Sequence, residues 1–560
     1  MPSPPETAVS RCPLCSICCP VGAEVDGLGH GTMQFPADSG FEGGACARGL
    51  AASHLLRSDA RIYEASVDGR PMVPEDALEA VADMLGNYEA SEVAVMLDAY
   101  RPLETLSRAA ELVSAALPKA LLCTGLPPGD PALLDAGLAA EVAPVNLEEC
   151  DLVLALGDPF STHPPVSRHL RNMQLAERGN RLLVVSSAVG RTGLGADRCM
   201  TVHPGRLAAL TCALAVECGA NEVSSALGGA DADAICDESG VPPSMVEELA
   251  GALDEADTGA VVLANPAGYC CRPHAVVRGA AEAARESGAR LHPLYASPNA
   301  SAAAEIGRMP PVLKAMRDGR VRAAVVLGFD PMGRMAPAVW GEAAEELEFV
   351  VHAAPVRTRF AREADALLPL ALPWEESGTL GAVDGGQVRS SAWASLPEGV
   401  VSMDGLLEGL AYHLGADASA SGRAESPEPR PVPVERVVGE DVLEGHEPAD
   451  GCATMVAEPQ VYADGNTAWL EVSSWTRRMA GSEAAVMGPG LAEELGLQDG
   501  EPVSLGDDRV VLDCEVREGM PDGVVAVPSH RESVRSLLHW HATEDVISVG
   551  PAEVEIRSAE

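Results

Sequence analysis

The residues best able to do chemistry stand near the start of the chain. Cys12-Pro-Leu-Cys15-Ser-Ile-Cys18-Cys19 is followed by Cys46, set in Gly-Gly-Ala-Cys-Ala-Arg48-Gly49. Taken as Cys12, Cys15, Cys19 and Cys46, the spacing is C-x2-C-x3-C-x26-C. Thiolates this close in sequence can meet at one point if the backbone curls around it, and one more from a distant loop closes a tetrahedral set. Such a set suits an iron–sulfur cluster or a structural zinc. Zinc sites usually come as two C-x2-C pairs or as Cys/His mixtures, and neither a second pair nor His-x3-His follows here. The spacing therefore favours a cluster. Cys18 also fits as third ligand through a C-x2-C step, so the sequence leaves Cys18 and Cys19 open.

The elements that must position these cysteines follow from the bulk of the chain. At 560 residues it has room for about three or four domains. Apolar residues make up 47% but aromatics only 3%, so Ala, Val, Leu and Gly do the packing, as in βαβ layers with close helix–sheet contacts. The 15 cysteines are mostly single after residue 46, which points to thiols in a reducing compartment. No run of apolar residues is long enough for a transmembrane helix, and the amino terminus lacks the regions of a signal peptide. A cytoplasmic protein without direct membrane insertion is expected. The net charge of −44, with Lys119 and Lys314 as the two lysines, weighs against nucleic acid and anionic membranes.

Along the chain, residues 1–60 read as a loop-rich cluster segment and 61–140 as an α/β segment joining two lobes. Periodicity predicts helices over Glu75–Leu85 and Leu103–Ala116, and strands over Glu92–Leu97 and Ala120–Leu122. An internal repeat is the most informative pattern. Asp151-Leu-Val-Leu-Ala-Leu-Gly157-Asp158-Pro159 matches Val321-Arg-Ala-Ala-Val-Val-Leu-Gly328-Phe-Asp330-Pro331. A later strand beginning Val184-Val, with Arg191-Thr192 and Ala196-Asp197 after it, matches Val350-Val, Arg357-Thr358 and Ala364-Asp365. Continuous apolar strands alternating with helices mean parallel sheets buried on both faces. Two copies predict two doubly wound, Rossmann-like lobes over 141–260 and 261–414, each with a crevice at the carboxyl ends of its strands. Residues 415–455 read as an acidic, Pro-rich, extended linker, and 456–560 as a carboxyl-terminal β-barrel. The fold class is thus α/β, with an iron–sulfur segment before the lobes and a barrel after them.

In this order the motifs resemble the molybdopterin oxidoreductase (dimethyl sulfoxide reductase) superfamily. Its members include formate dehydrogenase, the formylmethanofuran dehydrogenase molybdenum-binding subunit and the complex I large iron–sulfur subunit. The resemblance rests on the four cysteines with Arg48-Gly49, on Gly157-Asp-Pro-Phe-Ser-Thr-His163-Pro164, and on Ala196-Asp197 before His203-Pro-Gly205. It continues through Asn299 to Gly307, Ala364-Asp365 to Pro369, Glu375-Glu-Ser-Gly378-Thr379 with Asp384-Gly385, and Ser474-Trp-Thr-Arg477-Arg478. It implies a [4Fe-4S] cluster on Cys12, Cys15, Cys19 and Cys46, and lobes facing each other across a molybdenum or tungsten bis(molybdopterin guanine dinucleotide). The implied cofactor contacts are Arg48, Gly157, Asp158, His163, Thr192, Asp197, Gly205, Asn299, Gly328, Asp365, Gly378, Thr379 and Arg477.

Several family residues are replaced. Asp-Pro-Arg becomes Ser186-Ser187-Ala188, Pro-Gly-Thr-Asp becomes Pro204-Gly205-Arg206-Leu207, and Gly-Thr-Phe-Thr-Asn becomes Gly378-Thr379-Leu380-Gly381-Ala382. Glu-Gly-Arg becomes Asp384-Gly385-Gly386. A dinucleotide wants backbone amides plus Arg or Lys on its phosphates, and this chain has shed several such donors. Candidates for a protein ligand to the metal are Cys123, at a strand end, and Cys270-Cys271, with Asp130 a further oxygen donor; another alignment puts Pro127 or Pro128 there. For oxidation of formate or a formyl group, or reduction of CO2, Arg272 or Arg168 could hold the carboxylate, and His163 or His274 could handle the proton.

Two functions therefore compete: an electron-relaying iron–sulfur subunit with a partly degenerate pterin site, and a catalytic molybdenum or tungsten oxidoreductase. A zinc-stabilised scaffold is the third. A lone cluster needs somewhere to send electrons, so iron–sulfur, flavin or hydrogenase-type partner subunits are expected.

Overall fold

A computed structural model describes residues 8–25, 31–34, 44, 46–139, 146–265, 270–335, 337–383, 385–416, 433–443, 452–458, 472, 483–506, 509–542, 547–550 and 552–559. The opening strands β1 (Ala8–Arg11), β2 (Pro20–Val25) and β3 (Gly31–Gln34) pair antiparallel in one small sheet. Next come β4 (Ala65–Val67), β5 (Arg70–Met72), β6 (Val93–Leu97) and β7 (Leu121–Thr124). The first lobe holds β8 (Leu152–Leu156), β9 (Arg181–Ser186), β10 (Arg198–Thr201), β11 (Gly259–Ala264) and β12 (Arg290–Leu294). The second adds β13 (Ala323–Leu327), β14 (Phe349–Ala354) and β15 (Ala366–Pro369), followed by the hairpin β16 (Gly378–Gly381) and β17 (Gln387–Ser390).

The five-stranded sheet runs β10-β9-β8-β11-β12, parallel throughout. The seven-stranded sheet runs β5-β4-β15-β14-β13-β6-β7, parallel from β15 to β7, with β4 and β5 as an antiparallel edge. In chain order the first parallel array runs 3-2-1-4-5 and the second, from β7 to β15, runs 2-1-3-4-5. Both are doubly wound, with the order reversing beside β8 in the first and between β6 and β13 in the second. The cause is legible in the residues: β6, β8 and β13 are apolar and buried at every position, as strands covered on both faces must be.

The lobes are nested, not consecutive. Residues 61–140, expected to join the lobes, supply β6 and β7 to the second sheet, while 259–294, expected in the second lobe, supply β11 and β12 to the first. The first lobe is therefore an insertion into the second, and the second sheet's last two parallel positions are filled from upstream.

The repeat is carried by matched hydrogen bonds. Gly157 and Gly328, at φ 91° and 88°, both adopt the left-handed conformation that glycine tolerates. The Gly157 amide donates to Val185 O at 3.0 Å, and the Gly328 amide to Ala353 O at 2.8 Å. Asp158 and Asp330 then cap the short helices Pro159–Thr162 and Pro331–Arg334. Leu182 N donates to Asp197 Oδ2 and Val350 N to Asp365 Oδ2, both at 2.8 Å.

The segment expected to be an extended linker is partly folded onto the first lobe. Val434, Val438, Val442 and Leu443 are buried in its core, because they are the apolar positions left between charged residues. Beyond it lie β18 (Cys452–Glu458), β19 (Ala484–Met487), β20 (Pro502–Leu505), β21 (Val510–Val516), β22 (Val524–Pro528), β23 (His539–Ala542), β24 (Ile547–Gly550) and β25 (Ala552–Ser558). Six of these close a barrel in the order β18-β22-β19-β21-β20-β25, which begins at Cys452, a few residues before the expected boundary.

Two glycines test the packing. A Cβ on Gly279, in the helix Pro273–Ser287, would stand 2.7 Å from the Thr211 carbonyl carbon of the helix Leu207–Glu217. Gly251, in the exposed helix Pro243–Glu255, has nothing within 4 Å of its Cβ position. Gly279→Ala is expected to destabilise by ~1–3 kcal/mol through overpacking. Gly251→Ala should stabilise by up to ~1 kcal/mol. Urea unfolding midpoints check both.

Candidate metal centre

The loop from Cys12 to Cys19 leaves β1 and returns into β2, closed by Cys12 N donating to Cys19 O at 2.8 Å. Cys46 caps the short helix Ala47–Ala52, and its Sγ accepts from Gly49 N at 3.3 Å. Burial pushes the Cys12 thiol well up, and the Cys19, Cys46 and Cys15 sulfurs push it further. The Cys19 thiol is raised by burial and then by Cys15 and Cys46. Around Cys12 and Cys19 the other sulfurs of the predicted set are thus near neighbours. Cys18 turns elsewhere: at φ 48° its Sγ is directed to Cys15 O and Gly381 O, each at 3.6 Å. Among the described residues no three His, Cys, Asp or Glu side chains form a group that could hold a metal ion.

This loop is wedged against the carboxyl ends of strands from both lobes. The buried Arg48 guanidinium donates to Leu14 O at 3.3 Å and to Thr162 O, in the turn after β8, at 3.0 Å. Ser16 N donates to Tyr295 O, just past β12, at 3.3 Å, and Ser16 O accepts from Val383 N at 2.7 Å. Cys12 and Cys19 share an apolar core with Val356, Leu372, Trp374 and Trp393, and the two tryptophan rings stack with centroids 6.0 Å apart. Beside the loop opens a cleft of about 470 Å³ whose wall includes Ile17, Cys18, Val166, His169 and His292.

The predicted cofactor contacts are mostly engaged within the protein. Asp158 accepts from Arg191 N and Thr192 N, each at 2.9 Å, from Ser161 Oγ at 2.8 Å, and from Thr192 Oγ1. His163 bonds Thr162 Oγ1 through Nδ1 at 3.0 Å and Tyr295 O through Nε2 at 2.9 Å. Burial, with Arg48 nearby, holds its pKa down to about 3, so it is a neutral strut and not the proton handler expected. Asp197 and Asp365 brace the amino ends of β9 and β14, the opposite edge from the crevices. Gly205 belongs to the turn whose His203 reaches Thr454 Oγ1 of the barrel at 3.0 Å. Asn299 staples two loops: Nδ2 donates to Arg101 O at 2.6 Å and Oδ1 accepts from Gly381 N at 2.7 Å. Gly378 lies against Pro102, where a Cβ would come within 2.2 Å of the ring, and Thr379 donates to Glu104 through N at 2.8 Å and Oγ1 at 2.7 Å. Arg477 and Asp384 lie outside the described residues.

The catalytic candidates do not gather at the cysteine loop. Cys123 is fully buried in an apolar cluster with Met96, Met309 and Phe329, and burial raises its thiol far up; it is a core residue. Arg272 pairs with Asp441 at 3.2 Å, and His274 Nδ1 lies 2.9 Å from Asp135 Oδ2. Cys270 is buried in the first-lobe core, while Arg168 is exposed. Asp130 accepts from Ala296 N at 2.7 Å, Ser297 N at 2.9 Å and Ser297 Oγ at 2.7 Å, fixing the loop that holds His163.

Sequence reasoning missed a buried charge lattice at the second lobe's switch point. Asp98 follows β6 and takes Arg334 at 3.3 Å and Arg101 at 3.7 Å, while Arg101 also reaches Glu376 and Ala371 O. The available signal was Asp98-Ala-Tyr-Arg101, an acid and a base directly after a wholly apolar strand. In the first lobe, Ala188 and Val189 pack against Val456, Val486, Met520, Val524 and Ala526 of the barrel domain, and Arg517 donates to Val189 O at 2.6 Å. Ala188 and Val189 are thus an interior contact with the barrel.

Two parallel doubly wound sheets, an amino-terminal cysteine segment and a closed terminal barrel are consistent with a dimethyl sulfoxide reductase-like fold. The particular neighbour is acetylene hydratase from Pelobacter acetylenicus. Its structure matches with a TM-score of 0.77 at 12% identity, over 98% of this chain and 100% of that one. No protein-family description matches the sequence, and no curated protein does.

Two outcomes are expected from this geometry. Cys19→Ser should lower the iron bound on anaerobic reconstitution, whereas Cys18→Ser should leave it unchanged; an iron assay decides. Because His163 and His352 are both held down to about 3 in the native state, unfolding takes up protons below the ordinary histidine pKa of about 6.5. Stability is expected to fall as pH drops from ~6.5 toward 3, by of order 2 kcal/mol per histidine at pH 5. His163→Gln should flatten that slope in urea unfolding at pH 7 and pH 5.

Proposed function

We propose that this chain is a redox subunit that holds one [4Fe-4S] cluster on Cys12, Cys15, Cys19 and Cys46 and relays single electrons to partner subunits. The observation that supports the reading is geometric: Cys12, Cys15 and Cys19 lie on one buried loop set against both lobes, and Cys46 caps the short helix whose Arg48 bonds that loop.

When bound, such a cluster supplies one-electron transfer. The chain's own residues do the rest. Gly49 N–H directs a hydrogen bond at the Cys46 sulfur and so fixes where that sulfur stands. Arg48 places a fixed positive charge beside the loop and ties it to the first lobe. Leu14, Val21, Trp374 and Trp393 keep water from the sulfurs.

A pterin dinucleotide fits these residues poorly. Asp158 and Thr192 satisfy each other, Arg101 and Arg334 are spent on Asp98 and Glu376, and Ala188 and Val189 lie under the barrel. The cleft beside Cys18, His169 and His292 favours a second reading, a catalytic molybdenum or tungsten enzyme acting on formate or a formyl group. No helix among the described residues is long and apolar enough to cross a membrane.

Metal analysis of anaerobically purified protein separates the readings. About four irons per chain without molybdenum or tungsten is the expected result. Molybdenum or tungsten near one per chain overturns it in favour of the catalytic reading, and zinc without iron overturns both.

A further inference from the structure

The charge of −44 is not evenly spread. Residues 159–206 contain seven arginines against Glu177 and Asp197. Arg181 and Arg198 pair with Glu255 and Glu248 from outside that stretch, and Glu148 stands near Arg168, which leaves Arg171, Arg178 and Arg191 to set the local charge. Arginine and leucine share one exposed surface there. On the helix Val166–Ala176, Arg168, Arg171 and Leu175 are exposed at positions i, i+3 and i+7, one helical face. On the helix Arg191–Gly195, Arg191 and Leu194 are exposed at i and i+3. Arg171 donates to Gly195 O at 2.7 Å, so the two faces adjoin. Leu175 is 83% and Leu194 70% exposed, placing them among the most exposed of the described large apolar side chains. The guanidinium groups of Arg178, in the turn after the first helix, and of Arg191 have no carboxylate partner among the described residues.

We infer that this face docks a separate acidic redox protein. An acidic surface is repelled by the chain as a whole and can approach where the arginines invert the local field. Two exposed leucines inside an arginine rim give that partner an apolar centre to bury, which favours a protein over a nucleic acid. The face also reaches toward the cysteine loop. Val166, at the start of the helix, lines the same cleft as Cys18, and the preceding turn receives Arg48 through Thr162 O. At 1.5 Å per residue, Leu175 lies only about 14 Å further along the helix. The inference rests on the electron-relay reading and names the site and charge of its partner.

The test uses an acidic plant-type ferredoxin as probe, with binding followed by calorimetry on the full chain. Wild type should bind it at low ionic strength, with affinity falling steeply as salt is raised. Arg178→Glu/Arg191→Glu and Leu175→Ser/Leu194→Ser should each weaken binding more than tenfold. Both pairs are exposed substitutions, so unchanged unfolding midpoints and iron content are expected. No binding by wild type, equal binding by the variants, an oligonucleotide competing for the same face, or a change in the chain's own sedimentation in the variants overturns the inference. Iron content of the same preparation keeps the two proposals apart. Ferredoxin binding by an iron-free chain that cannot be reconstituted defeats the relay, whereas an iron-loaded chain that ignores the probe defeats only the docking face.

Discussion

Cysteine binds metal as thiolate, and burial opposes thiolate formation; in the amino-terminal loop burial raises the Cys12 and Cys19 thiols, and the neighbouring sulfurs raise them further. Arg11 and Arg48 reach the loop from its own segment, and backbone amides at Leu14, Gly44 and Gly49 are directed at the Cys12, Cys19 and Cys46 sulfurs, but burial outweighs them at Cys12 and Cys19. Such an arrangement is favourable only if positive charge arrives with the ligand, and iron in a cluster brings it. The surrounding structure answers that constraint. A wall of Trp374, Trp393 and Val21 keeps the site dry, and strand ends from two lobes hold the loop in place.

The lobes meet this demand through duplicated local chemistry. Gly157 and Gly328 turn the chain after a buried strand, Asp158 and Asp330 cap the short helices Pro159–Thr162 and Pro331–Arg334, and Thr192 and Thr358 bond the capping carboxylates. In an open doubly wound sheet these turns sit at the crevice where ligands usually bind. Here the carboxylates face their own loops, and the space beyond holds barrel side chains in one lobe and an Arg–Asp–Glu lattice in the other. The duplicated turns thus serve internal packing in both lobes.

Much of this was legible in the sequence. Alternating apolar runs gave the parallel strands, the Gly-Asp-Pro repeat gave the duplicated turns, and the short alternating strands gave the barrel. What the sequence hid was pairing at long range. Nothing in β6 or β11 announces which sheet it joins, because a strand buried on both faces carries the same apolar signal in either. Likewise Asp197 and Asp365 look like ligand contacts until the register puts them at the amino ends of β9 and β14. Val434, Val438 and Val442 were lost in a proline-rich, acidic stretch whose composition outweighed its few apolar residues. For Cys18 and Cys19, spacing permits both; the left-handed backbone at Cys18 separates them by aiming one sulfur away.

The most direct measurement is electron paramagnetic resonance of the anaerobically reduced protein, comparing wild type, Cys46→Ser and Cys123→Ser. The account predicts a cluster signal in wild type that persists in Cys123→Ser and is lost or reshaped in Cys46→Ser. A signal that Cys46→Ser leaves unchanged, or iron-loaded wild type without one, would contradict it.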